Sequence, residues 1–284
     1  MKKHIAQLLR FVTFTALLLT SILGTGKVAW ADTGEEMVDE STAIMSSSDD
    51  QVQVAAPREW TMAELQAAQP YPASDTVEGP IPDTPEPTGP AEGVKGSPPL
   101  KAPTTGAPTE AIPDDNAAQA LEPEVPYTYS TYPFSTVGML FFTQDGSDYV
   151  CSAAVIKNQS IWTAGQCLHN GRGSIDGWST NVVFVPQFID GRAPLGQWRV
   201  QTLLVPQEWY NNGWVSVNIG GGILRDPIGP STGWLGFAWN QPRAQYYTPI
   251  GYPTASPYNG GRMRYCPNRY FDSYGFVGTI GVAC

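Results

Sequence analysis

The stretch Tyr149-Val-Cys-Ser-Ala-Ala-Val-Ile156, and after a polar Lys157-Asn-Gln159 turn Ser160-Ile-Trp-Thr-Ala-Gly-Gln-Cys167, decides the reading of this chain. Short runs of β-branched, aromatic and small apolar residues bounded by turn formers read as strands. The same texture extends in both directions: Thr136–Thr143, Asp148–Ile156, Ser160–Thr163, Asn181–Pro186, Gln197–Val205, Asn218–Leu224, Gly233–Asn240 and Gln245–Tyr252 are candidate strands separated by Gly, Asn, Asp and Pro. No helical period of useful length interrupts them. The expectation from about Tyr132 onward is an all-β sandwich or barrel.

Upstream the composition changes. Lys2, Lys3 and Arg10 precede an apolar run from Phe11 to Leu23, and Ala29-Trp30-Ala31 has the small-x-small form of a cleavage site. That layout predicts a secretory signal peptide over 1–31 and a mature start near Asp32; the bland alternative is an uncleaved anchor. From Asp32 to Ser130 there are 19 acids and 3 bases, a net of −16, whereas Thr131 to Cys284 carries 7 acids and 9 bases, a net of +2. The acidic part is rich in proline, as in Gly79-Pro-Ile-Pro-Asp-Thr-Pro-Glu-Pro-Thr-Gly-Pro90. Such composition cannot bury enough surface to offset ordering its backbone, so 32–130 reads as a disordered pro-region or linker. One island differs: Thr61 with Glu64 three residues on fits a capping box, and Pro70 ends the run, so a short helix over Met62–Ala68 is expected, either docked or transient.

The four cysteines are Cys151, Cys167, Cys266 and Cys284, and three pairings are open on sequence alone. An exported chain should oxidise them. No CxxC pair occurs and His169 is the one histidine of the mature chain, so no metal site is expected. No cofactor-binding pattern is present: Asn170-Gly-Arg-Gly-Ser-Ile-Asp-Gly177 is glycine-rich but lacks phosphate-loop spacing. No basic cluster suggests nucleic acid, and no later segment suggests a membrane partner; a peptide or protein is the expected partner class.

Val137-Gly-Met-Leu-Phe-Phe-Thr143, the Cys151-Ser-Ala strand and Thr163-Ala-Gly-Gln-Cys167 together resemble the first barrel of the trypsin/chymotrypsin-like serine peptidases, especially their bacterial secreted, glutamyl-endopeptidase-like branch. The resemblance implies a double β-barrel over 131–284 and disulfides Cys151–Cys167 and Cys266–Cys284. It also places Gln166 where the family carries its general base, a histidine. An imidazole titrates near neutrality and a carboxamide does not. Asn218, in Asn218-Ile-Gly-Gly-Gly-Ile-Leu224, stands where the family has its acid; a register shifted by two would put Ser216 there instead. No Gly-Asp-Ser-Gly or Gly-Ser-Gly-Gly segment occurs, so the second barrel is expected to be incomplete and the nucleophile absent. The Trp60-Thr61-x-x-x-Leu65-x-x-Ala68-x-Pro70 pattern resembles a segment ahead of the peptidase domain in some bacterial secreted members of the family.

Other residues compete for a role. His169, three residues beyond Gln166, reads as a surface histidine in a loop rather than a substitute base. Gly229-Pro-Ser-Thr-Gly233 formally matches a nucleophile elbow at Ser231, but no strand-to-helix pattern surrounds it. Trp209, Tyr210, Trp214, Trp234, Trp239, Tyr246 and Tyr247 are mostly expected in packing. Asn158-Gln-Ser160 is a glycosylation sequon. The functional expectation is a secreted, proteolytically inactive peptidase homologue. Its alternatives are a binding or scaffold protein using the retained groove and aromatics, with Trp209 and Trp214 as candidate contacts, and a fragment of a serine endopeptidase.

Overall fold

A computed structural model describes residues 44–47, 58–72, 89–100, 125–126, 128–242, 245–266, 268–272 and 280–282. The expected signal peptide and Cys284 lie outside them. In the acidic region the elements are β1 (Ile44–Ser46), α1 (Met62–Ala67), β2 (Gln69–Pro70) and β3 (Glu92–Val94). The β-rich region begins with β4 (Val137–Gln144), β5 (Ser147–Lys157), β6 (Ser160–Thr163), β7 (Thr180–Pro186), β8 (Trp198–Pro206), α2 (Gln207–Asn212) and β9 (Gly220–Leu224). It continues with α3 (Gly229–Thr232), β10 (Phe237–Trp239), β11 (Tyr246–Tyr247), β12 (Ile250–Gly251), β13 (Arg264–Tyr265), β14 (Asn268–Asp272) and β15 (Ile280–Val282).

Strands β8, β7, β4, β5, β6 and β9 pair antiparallel in that order, and β9 pairs back with β8 to close a six-stranded barrel. Closure removes the free edges that a flat sheet leaves. Alternation sorts the side chains: Leu140 and Phe142 of β4 point into the barrel with Val155, Ile161, Phe184 and Leu224. Val137, Met139 and Phe141 point outward into a second cluster with Trp60, Leu65, Phe188, Tyr252 and Met263. That is why Val137–Phe142 is apolar without alternation: β4 is covered on both faces. Downstream, among the described residues, β10–β3, β12–β13 and β11–β14–β15 form separate small sheets rather than a second closed barrel.

The linker expectation has to be narrowed. Pieces of the acidic segment are folded against the β-rich region: β1 pairs with β8 and β2 pairs parallel with β5 on the barrel, and β3 pairs with β10 in a separate small sheet. Helix α1 has the expected capping box, with Glu64 N–H donating to Thr61 Oγ1 and Thr61 N–H to Glu64 Oε2. A helix this short is not stable alone. Burying Trp60 and Leu65 against β4 supplies what it lacks. Two short helices also appear where none was expected. Helix α2 follows Pro206 and ends on Gly213 in the left-handed region, and it buries Trp209 and Tyr210.

Candidate active site

Gln166 sits in a turn of 3-10 helix, Gly165–Cys167, directly after β6. Gly165 begins it because a Cβ there would come within 3.0 Å of the Trp209 ring and the Ile219 carbonyl. Cys167 ends it, bonded to Cys151 of β5, so the turn is tied covalently to the barrel wall. Asn218 closes a second 3-10 turn, Val215–Val217, just before β9.

The barrel brings these two turns together. Asn218 Oδ1 accepts the backbone N–H of Gln166 at 3.0 Å, and Asn218 Nδ2 donates to Gln166 Oε1 at 2.8 Å. The residue facing Gln166 is therefore Asn218; Ser216 is exposed to solvent. Two neutral amides joined this way offer donors and acceptors, and neither takes up a proton near neutral pH.

Beside Gln166 lies a cavity of about 300 Å³, lined among others by Tyr71, Ser152, Cys167, Tyr252 and Thr254. Buried Gln144 links it to the N-terminal segment. Its Oε1 accepts from the Tyr71 hydroxyl, and its Nε2 donates to Ser179 Oγ at 3.0 Å and to the Gln166 carbonyl at 3.4 Å. Burial, then the nearby Asp145, pushes the Tyr71 phenol up from its ordinary value. Burial pushes Tyr252 well up, and its hydroxyl donates to the Phe188 carbonyl at 2.9 Å. Sequence reasoning missed Tyr71 and Gln144: one follows the proline that ends the helical island, the other is a lone amide at a strand end.

His169 is not a surface residue. It is fully buried, stacked on Tyr210 at 4.2 Å and edge-on to Trp178 at 4.8 Å. Its Nδ1 accepts from Gly171 N–H at 3.0 Å, which leaves Nε2 to donate to the Ser174 carbonyl at 2.8 Å. A polar side chain can be buried here because both nitrogens are satisfied, and those commitments take it out of contention as a base. Trp209 is likewise 1% exposed, its indole N–H donating to the His169 carbonyl at 2.8 Å, so it is core and not a ligand platform. Ser231 lies exposed on α3, with no histidine partner among the described hydrogen bonds. Cys266 is in a disulfide; its expected partner Cys284 lies outside the described residues. Among the described residues no group of three or more His, Cys, Asp or Glu gathers as a metal site.

No model of a known protein family matches the sequence, and no curated protein does. Solved structures do. A thermostable serine protease, AL20, from an extremophilic microorganism superposes with a TM-score of 0.50 at 30% identity, over 53% of this chain and 72% of that one. The chain belongs to the trypsin-like serine peptidases. The protease Anisep from Arthrobacter nicotinovorans is 31% identical over 51% of this chain and 68% of its own, with a TM-score of 0.47. A Glu endopeptidase is 18% identical, with a TM-score of 0.42 over 56% and 77% of the two chains. Within this family, Gln166 and Asn218 occupy the turn after β6 and the turn before β9.

Proposed function

We propose that this chain is a secreted trypsin-like peptidase homologue that does not cleave peptides, because Gln166 and Asn218 take the places of the base and the acid that orients it. The observation that carries this reading is the reciprocal hydrogen bonding of the two amides. In a Ser-His-Asp triad the base takes the nucleophile's proton and the acid holds the base in the right tautomer. Gln166 keeps the hydrogen-bonding geometry and loses the proton transfer. Removing a triad base alone costs on the order of 10⁶ in kcat. The basic, apolar and small-residue layout of 1–31, with a disulfide-bonded domain after it, supports export. The test is turnover of a fluorogenic peptide panel by purified protein. The reading expects rates at background; robust turnover abolished by a serine-directed inhibitor overturns it.

A binding role is the second reading, and one observation favours it. Phe237 and Trp239 are 43% and 41% exposed with ring centroids 5.6 Å apart. Exposed neighbouring aromatics suit stacking on a peptide or glycan. Saturable binding to such an array, weakened by Trp239→Ala, supports it; flat isotherms count against it.

A further inference from the structure

The segment from Arg58 to Tyr71 is held to the barrel by contacts of several kinds. Trp60 is 2% exposed; its N–H donates to Gln197 Oε1 at 3.1 Å, and Gln197 Nε2 returns a bond to the Trp60 carbonyl at 2.6 Å. The Trp60 indole donates to the Asn181 carbonyl at 2.9 Å. Arg58 lies 4.9 Å over the Trp60 ring and bridges Glu64 and Asp148, each at 2.7 Å. The far end is fastened by pairing of Gln69 and Pro70 with β5, by Tyr71 N–H to the Val150 carbonyl at 3.3 Å, and by the Tyr71 ring against Phe142 and Tyr149.

This pattern is unlike that of a leader that leaves. Withdrawing the segment would bare the outer face of β4, including Phe141, which Trp60 covers with ring centroids 5.8 Å apart. It would also leave Gln144, 2% exposed, without its phenol partner. Buried groups stripped of partners are costly, and an uncovered apolar strand face invites aggregation.

We propose that residues 58–71 are a permanent strap of the folded protein, and that Tyr71, acting through Gln144, is a positioning residue that holds the turn carrying Gln166. Any processing of the N-terminal region then falls before Arg58 or after Tyr71 and leaves the strap in place. The proposal does not depend on whether the protein cleaves peptides.

The test uses the full chain with a specific protease sequence inserted within 76–82. After cutting, the N-terminal fragment is expected to co-elute with the barrel in native gel filtration, or to leave only with a drop in the barrel's Tm. Release with an unchanged Tm overturns the proposal. Because β1 also grips the barrel, the cut chain is repeated with Trp60→Ala, which should release the fragment; retention shows that the strap is not what holds it. The relay is read separately in uncut Tyr71→Phe, which removes one hydroxyl. Amide exchange at Cys167, Leu168 and His169 should quicken about tenfold, as expected for one lost hydrogen bond, with exchange in β7 and β8 unchanged. Equal acceleration everywhere, or none, removes Tyr71 from the positioning role.

Discussion

Asn218 and Gln166 are joined by two hydrogen bonds of complementary sense, one to the backbone N–H of Gln166 and one to its side-chain carbonyl. Two loops that would otherwise move independently are thereby fixed to each other. The first bond needs only an acceptor at position 218; the second needs a donor. Asn218→Ala removes both and should destabilise the fold by about 1–2 kcal/mol, the net worth of two half-buried hydrogen bonds. Asn218→Asp keeps the acceptor, and turning the Gln166 amide over lets its NH2 donate to the carboxylate. That variant should stay within roughly 1 kcal/mol of the parent. Urea unfolding of the two variants distinguishes these outcomes.

The Cys151–Cys167 disulfide spans 16 residues of chain, β5 through the Gln166 turn. Closing a loop of that size is worth about 3 kcal/mol. The double Cys151→Ser, Cys167→Ser variant should lose that much in equilibrium unfolding. Its exchange protection should fall first in the Gln166 turn, which the bond ties to the wall.

Tyr252 gives the fold an alkaline limit. Burial raises its phenol well above the ordinary value, so the folded state keeps the proton that the unfolded chain loses near pH 10. A folded-state pKa raised above the unfolded one contributes stability that is complete below pH 10 and is lost as pH rises toward the folded value. Thermal melts should therefore be flat up to about pH 10 and fall above it. Tyr252→Phe should cost about 1 kcal/mol at neutral pH by losing the bond to Phe188, and should flatten the alkaline limb.

Trp209 tests the difference between a core and a binding role. Trp209→Ala should destabilise by about 3–5 kcal/mol as a core cavity, with His169 exchange and ring-current shifts altered. Trp239→Ala, on an exposed ring, should leave Tm nearly unchanged. Thermal unfolding of the pair checks both.

The barrel was legible in the sequence where physics is local. Strands β5 and β6 are short apolar runs set off by a polar turn, and β4 was legible as a strand. Why its Val137–Phe142 run is unbroken emerges only from the fold, where both faces of the strand are covered. The outer cover is Trp60 and Leu65, far upstream in a segment whose average composition argues for disorder; a two-residue anchor vanishes in a compositional average. Strands β1 and β3 are three residues each, too short for any period to show. His169 was misread because one polar residue in a Gly-rich loop looks exposed. Its burial depends on Trp178 and Tyr210, which reach it only in the folded chain. Gln166 stood out in the sequence because it sits inside the Thr163–Cys167 motif, whereas its hydrogen-bonded partner Asn218, 52 positions on, could be told from Ser216 only in the folded chain.

With Gln166 in place of the base, as proposed, no serine of this fold should be activated. The most direct measurement is intact-protein mass spectrometry after incubation with a fluorophosphonate probe, which adds covalently to an activated serine. The account predicts no adduct under native conditions at any pH from 6 to 9. A single stoichiometric adduct that maps to one serine, and that is lost on prior unfolding, would contradict it.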